Sequence, residues 1–102
     1  MSKLKPATAR TPEELARALG LSPADAREWR VQHTLSERLR YAVKKEGVTH
    51  AELAQRAGTS RTRVTAILND NLEQVSTDLL IRLLAALDYD VCVTVQKARR
   101  AA

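Results

Sequence analysis

Two short helices, each opened by its own cap and joined by a three-residue turn that begins with a glycine, constrain this chain more than any other feature. The stretch runs from His50 to Leu68, HAELAQRAGTSRTRVTAIL. Thr49 stands before it as an N-cap, and Glu52 follows three residues later. At that spacing hydroxyl and carboxylate each satisfy the other residue's backbone N–H. The spacing predicts a first helix from about His50 to Ala57. Gly58 follows, where a left-handed residue ends a helix at little cost. Ser60 then caps a second helix, Arg61 to about Leu68. Apolar residues fall where two crossed helices share a core: Leu53, Ala54 and Ala57 on the first, Val64, Ile67 and Leu68 on the second. Ala54 suits the crossing point, because a larger side chain would hold the helices apart. This is the layout of a helix-turn-helix.

The second helix has an informative outer face. With Val64 pointing inward, a step of about 100° per residue turns Thr62, Ala66 and Asn69 outward, with Arg63 and Thr65 flanking them. Arg61 occupies the exposed first turn. No acid occurs between Glu52 and Asp70, whereas Arg56, Arg61 and Arg63 all lie there. Small hydrogen-bonding side chains, one alanine and two arginines make a helix that can approach a major groove closely. Surface arginines alone would equally suit a solvated helix in an all-α bundle. The capped turn, the small crossing residue and the acid-free face together favour DNA.

The 102 residues accommodate one domain with a tail or an added element. There is no Phe, so the core must be aliphatic, built from Leu, Val, Ala and Ile. The net charge of +5 favours an acidic partner, nucleic acid or an acidic protein. Cys92 is the single cysteine, which excludes an internal disulfide and fits a reducing cytoplasm. No signal peptide or membrane span is read in the sequence.

Along the chain, residues 1–10 carry three bases and a proline without periodicity. They read as a flexible basic N-terminus, either a plain tail or an arm that touches phosphate. Residues 11–34 form an N-terminal helical extension. Thr11-Pro12-Glu13-Glu14 opens a helix with cap, proline and acids in order, and Gly20 stops it. Ser22-Pro23-Ala24-Asp25 opens the next by the same rules. No breaker occurs before Gly47, which predicts one long helix from about Pro23 to Glu46 with Val31, Leu35, Leu39 and Ala42 as inner stripe. Trp29 lies off that stripe. Either the first helix covers it with Leu15, Leu19 and Leu21, or it contacts a partner protein, since tryptophan is enriched at interface hot spots.

Residues 35–88 make up the helix-turn-helix domain. After the turn at Asn69-Asp70-Asn71, Ser76 or Thr77 caps a last helix whose one face is Leu79, Leu80, Leu83, Leu84 and Leu87. Ile81 and Ala85 extend its apolar surface. Residues 70–90 carry five acids against one base, so the basic charge is concentrated elsewhere.

In residues 89–96, Tyr89, Val91, Val93 and Val95 alternate with Asp90, Cys92, Thr94 and Gln96, the pattern of a half-buried strand. A lone strand leaves its backbone groups unpaired. A second copy across a twofold axis would pair it, with Ile81, Ala85, Tyr89, Val91, Val93 and Val95 as the dimer surface. Pairing with the N-terminal segment around Leu4 is the alternative. Residues 97–102 are a short basic tail. The expected architecture is therefore mainly all-α: a bundle of about five helices with one C-terminal β-strand.

Catalytic chemistry is not evident. There is no glycine-rich phosphate loop, and His33, His50 and Cys92 are too scattered for a metal site. No nucleophile–base pair stands out, and Cys92 reads as a packing residue. Neither enzyme activity nor a cofactor is expected.

From Thr49 to Asn71 the chain resembles the Xre-type, lambda-repressor-like DNA-binding domain, through Leu53-Ala54, Gly58, Ser60, Val64-Thr65 and the Asn69 turn. From about Leu35 to Val95 it resembles the HigA-like antitoxins most, in the long helix before the motif, the segment Val75-Ser76-Thr77-Asp78-Leu79-Leu80 and the terminal Asp90-Val91-Cys92-Val93-Thr94-Val95. Two positions depart from the pattern: His50 stands where glutamine is usual, and Asp70 where glycine is common. The resemblance implies a homodimeric repressor that binds a cognate toxin, often a ribosome-dependent RNA-cleaving protein, and represses its own operon.

The leading expectation is thus a cytoplasmic, sequence-specific repressor of a palindromic DNA operator, acting as the antitoxin of a toxin–antitoxin pair. Arg61, Thr62, Arg63 and Thr65 are the candidates for base contacts. Thr59, Ser60, Asn69 and His50 are the candidates for backbone contacts. A solitary phage-type repressor is one alternative. A protein-binding inhibitor module that uses the motif only as scaffold is the other.

Overall fold

A computed structural model describes residues 18–20 and 22–97. Among them are four helices: α1 Pro23–Glu46, α2 His50–Ala57, α3 Arg61–Leu68 and α4 Thr77–Ala86. The first helix expected from the sequence, Thr11 to Gly20, lies outside the described residues except for its end. There Gly20 takes the left-handed conformation (φ 79°) that a helix stop requires.

Each helix begins on a hydroxyl cap. Ser22 Oγ accepts from the Asp25 N–H at 3.1 Å, Ser60 Oγ from Arg63 at 3.1 Å, and Ser76 Oγ from Leu79 at 3.1 Å. At α2 the capping box is complete: Thr49 Oγ1 accepts from the Glu52 N–H at 3.0 Å, and Glu52 Oε1 accepts from the Thr49 N–H at 2.9 Å. The Glu52 carboxyl is held below its ordinary range, mainly because the Thr49 backbone N–H donates to it.

The last three helices end alike. Gly58 (φ 73°), Asp70 (φ 69°) and Asp88 (φ 67°) are left-handed. The next residue's N–H then reaches back into the last turn: Thr59 to Ala54 O, Asn71 to Ala66 O and Tyr89 to Leu84 O. Glycine adopts this conformation readily; two of the three positions here hold aspartate.

Helices α2 and α3 pack on each other, Ala54 being buried, and α4 lies against α1 and α2. Leu39 and Ala42 of α1, Leu53 of α2, Val64 and Ile67 of α3, and Leu80 and Leu83 of α4 are fully buried together. The expected inner faces of α2, α3 and α4 are thus as found, with Leu68 half-buried at the edge. The stripe on α1 needs correction. Leu39 and Ala42 are buried and Leu35 half-buried, but Val31 is 48% exposed and Ser36 is the buried neighbour. Ser36 is satisfied locally, its hydroxyl donating to His33 O at 3.0 Å. Trp29 precedes Ser36 by one heptad, so the two lie within about 20° of each other on the helix.

The C-terminal segment is also a correction. Residues 89–97 belong to no strand. A strand exists only when a neighbour supplies the ladder, and no described residue does so. Tyr89 and Val91 pack on the core, while Val93 and Val95 are 75% and 89% exposed.

Candidate nucleic-acid interface

The surface built around α3 starts from its caps. Ser60 and the left-handed Asp70 fix where the helix begins and where the chain leaves it. Between them Arg61 and Thr62 stand exposed on the first turn, Ala66 is half-buried, and Asn69 is exposed at the end. The small side chains at 62, 65, 66 and 69 keep this face low, as close approach to a groove demands.

The other candidates have partners that the sequence did not disclose. His50, at the first position of α2, shares a 2.8 Å hydrogen bond between its Nδ1 and Thr65 Oγ1 on α3. Both residues are half-buried. This bond pins the two helices to each other and commits the Thr65 hydroxyl, leaving Nε2 as the ring nitrogen of His50 outside this bond. Arg63 folds back on the following loop, where its Nη2 donates to Gln74 O at 2.7 Å. Gln74 is itself left-handed (φ 59°). Ser60 uses its hydroxyl as the helix cap, and Thr59 is half-buried in the turn. Arg61 and Thr62 therefore project at the helix start without a partner among the described residues. Thr65, Arg63 and His50 brace the element that presents them.

Two residues that sequence reasoning passed over complete the surroundings. Arg40 of α1 donates through Nη1 to Asp70 Oδ1 at 2.8 Å, so the acid beside the helix exit is neutralised by a base 30 residues away. Gln32 of α1 donates through Nε2 to Val75 O at 2.8 Å and holds the loop that also receives Arg63. No local pattern reveals either pairing; only the packing of α1 beside the 70–76 loop does. Glu73 adds an acid on that loop, next to Thr62 and Arg63 across a shallow groove.

The remaining candidates lie apart from this surface. Ile81, Val91 and Val93 line one groove together with Val31 and Leu35 of α1. Ala85 is exposed, and the Tyr89 hydroxyl donates to Glu46 Oε2 at 3.3 Å. Trp29 is half-buried and stacks on His33 at a centroid distance of 4.9 Å. Leu19, expected to cover it, is 64% exposed; Leu15 and Leu21 lie outside the described residues. Among the described residues no group of three or more His, Cys, Asp or Glu could hold a metal ion, and no helix is long and apolar enough to cross a membrane.

Comparison with known proteins agrees with this arrangement. Residues 14–96 match the family described as "Helix-turn-helix domain". A solved structure named "Putative XRE Family Transcriptional Regulator" is similar at 33% identity and a TM-score of 0.67, covering 76% of this chain and 91% of its own. The search of curated proteins finds no match. With the capped helices in their expected places and most of the chain matched, this protein belongs to the XRE-type helix-turn-helix family.

Proposed function

We propose that this protein is a sequence-specific DNA-binding transcriptional repressor that inserts α3 into the major groove. The observation that carries the reading is the outer face of α3. Arg61 and Thr62 project from its first turn, no acid lies on the helix, and His50–Thr65 and Arg63–Gln74 brace it from both sides. Base discrimination then falls chiefly to Arg61 and Thr62. Thr59, Ser60, Asn69 and His50 Nε2 lie at the helix ends, where backbone N–H groups and small polar side chains meet phosphates. Arg63 and Thr65 act by positioning α3 as well as by any contact of their own. The protein works in the cytoplasm and carries out no chemistry on its ligand.

We further propose that the active form is a homodimer joined through residues 89–96. A backbone without a ladder partner among the described residues, exposed Val93 and Val95 and the neighbouring Ile81 and Val31 support that assembly. A twofold dimer calls for a palindromic operator with half-sites about 34 Å apart. The antitoxin role, with autoregulation of an operon shared with a toxin, is the finer reading supported by the resemblance over Leu35 to Val95. Co-purification with the product of the neighbouring reading frame tests it.

The main test is fluorescence anisotropy at near-physiological salt, using the DNA upstream of the gene and a scrambled duplex. Tight binding to the upstream duplex alone is expected. Equal weak binding to both would reduce the basic face to a non-specific electrostatic surface and end the repressor reading. Light scattering at micromolar concentration tests the dimer, and a monomer there removes it.

A further inference from the structure

Trp29 itself has no part in the DNA-facing reading. Trp29, the only tryptophan of the chain, stacks on His33 with the ring planes inclined by 10°. The two rings form one wall of a groove. Its other wall is the segment leaving α3, with Asp70, Leu72 and Glu73. Leu72 packs on the core, so the floor is apolar. Of the residues that line the groove, Asp70 and Glu73 carry carboxylates. Asp70 already holds Arg40, Glu37 faces His33 at 3.4 Å, and the Glu73 carboxylate has no partner among the described residues.

A stacked aromatic pair beside one unpaired carboxylate, in a chain of net charge +5, selects the charge of an occupant. A phosphate would be repelled. A purely apolar side chain would strip water from the acids without replacing it. A guanidinium fits: it is flat, weakly hydrated, stacks on aromatic rings and meets carboxylates through a fork of N–H groups. We propose that this groove docks an arginine side chain presented by a partner protein. Trp29 receives the guanidinium plane and stem, and Glu73 accepts its N–H groups. The site stands independently of the DNA-binding reading. It nevertheless shares a wall with it, because the segment that carries Asp70 and Glu73 also carries the Gln74 carbonyl that holds Arg63.

Because Trp29 is unique, its fluorescence reports the groove directly. The full chain is titrated with acetyl-Gly-Arg-Gly-amide, with the citrulline analogue, which keeps the shape and loses the charge, and with a short single-stranded oligonucleotide. A saturable change is expected with the arginine peptide only. Glu73→Gln should raise its half-saturating concentration about fivefold, as for the loss of one exposed charge pair, while the melting curve stays unchanged. Equal responses to the arginine and citrulline peptides would overturn the proposal. So would no saturable response to arginine, a response to the oligonucleotide alone, or full-strength binding by Glu73→Gln.

Discussion

The two halves of α1 are one unbroken helix with opposite fates. The C-terminal half buries Leu39 and Ala42 completely, in the core that α1 forms with α3 and α4. The N-terminal half buries Ala26 and leaves Val31 half exposed. Among the described residues, the N-terminal half meets less of the buried core than the C-terminal half does. The same holds for residues 89–97, where Tyr89 and Val91 reach the core and Val93 and Val95 extend past its edge. An apolar stripe marks a surface that wants burial, and the burial itself depends on whether a second element is present.

Substitutions can break or sharpen this contrast. The largest effect is expected in the closed half. Leu53→Ala removes a fully buried side chain between α2 and its neighbours and should cost about 2–5 kcal/mol in chemical unfolding. Val95→Ala should stay within about 0.5 kcal/mol for the monomer. Comparable losses would show that the C-terminal segment is part of the folding core after all.

A second contrast lies between two arginines on α3. Arg61→Ala should weaken operator binding by about 1–3 kcal/mol and relax preference at one base, with no change in melting temperature. Arg63→Ala also releases the Gln74 carbonyl, so it should lower stability by about 1 kcal/mol as well. If both variants melt like the wild type, the Arg63 brace carries no weight in solution.

The helix ends offer a smaller test. A Cβ at Gly58 meets nothing within 4 Å, so Gly58→Ala probes backbone strain alone and should destabilise by about 1 kcal/mol. Asp88→Gly relieves the same strain and should stabilise by about 0.5 kcal/mol or more. Opposite signs in thermal melts are the expected result; equal signs would refute a strain origin.

The smallest effect is the pH dependence of the α2 cap. Folding lowers the Glu52 carboxyl below its ordinary value of 4.5, so the native state favours the charged form. That contribution is fully present above the unfolded value and is lost as pH falls through the lowered native value. Glu52→Gln should flatten the stability profile below about pH 4.5 and leave it unchanged near neutrality. A profile identical to the wild type in acid would remove the capping box as its cause.

Much of the fold was legible because its instructions are short-range. Thr49 with Glu52, Ser60 with Arg63 and Ser76 with Leu79 are hydrogen bonds across three residues, so spacing alone reveals them. The helix bounds and the outer face of α3 followed from these caps. The strand did not, since alternation states only what a segment could become once a partner arrives.

By itself the sequence determined where each helix starts and stops, because caps and left-handed exits act within one turn. Tertiary structure alone decided which polar groups meet. His50 and Thr65 are 15 residues apart, Arg40 and Asp70 30, and Gln32 and Val75 43. No periodicity spans such distances; they close only after Leu39, Leu53, Ile67 and Leu80 have drawn the helices into one core, which sets side by side groups that the chain itself holds far apart.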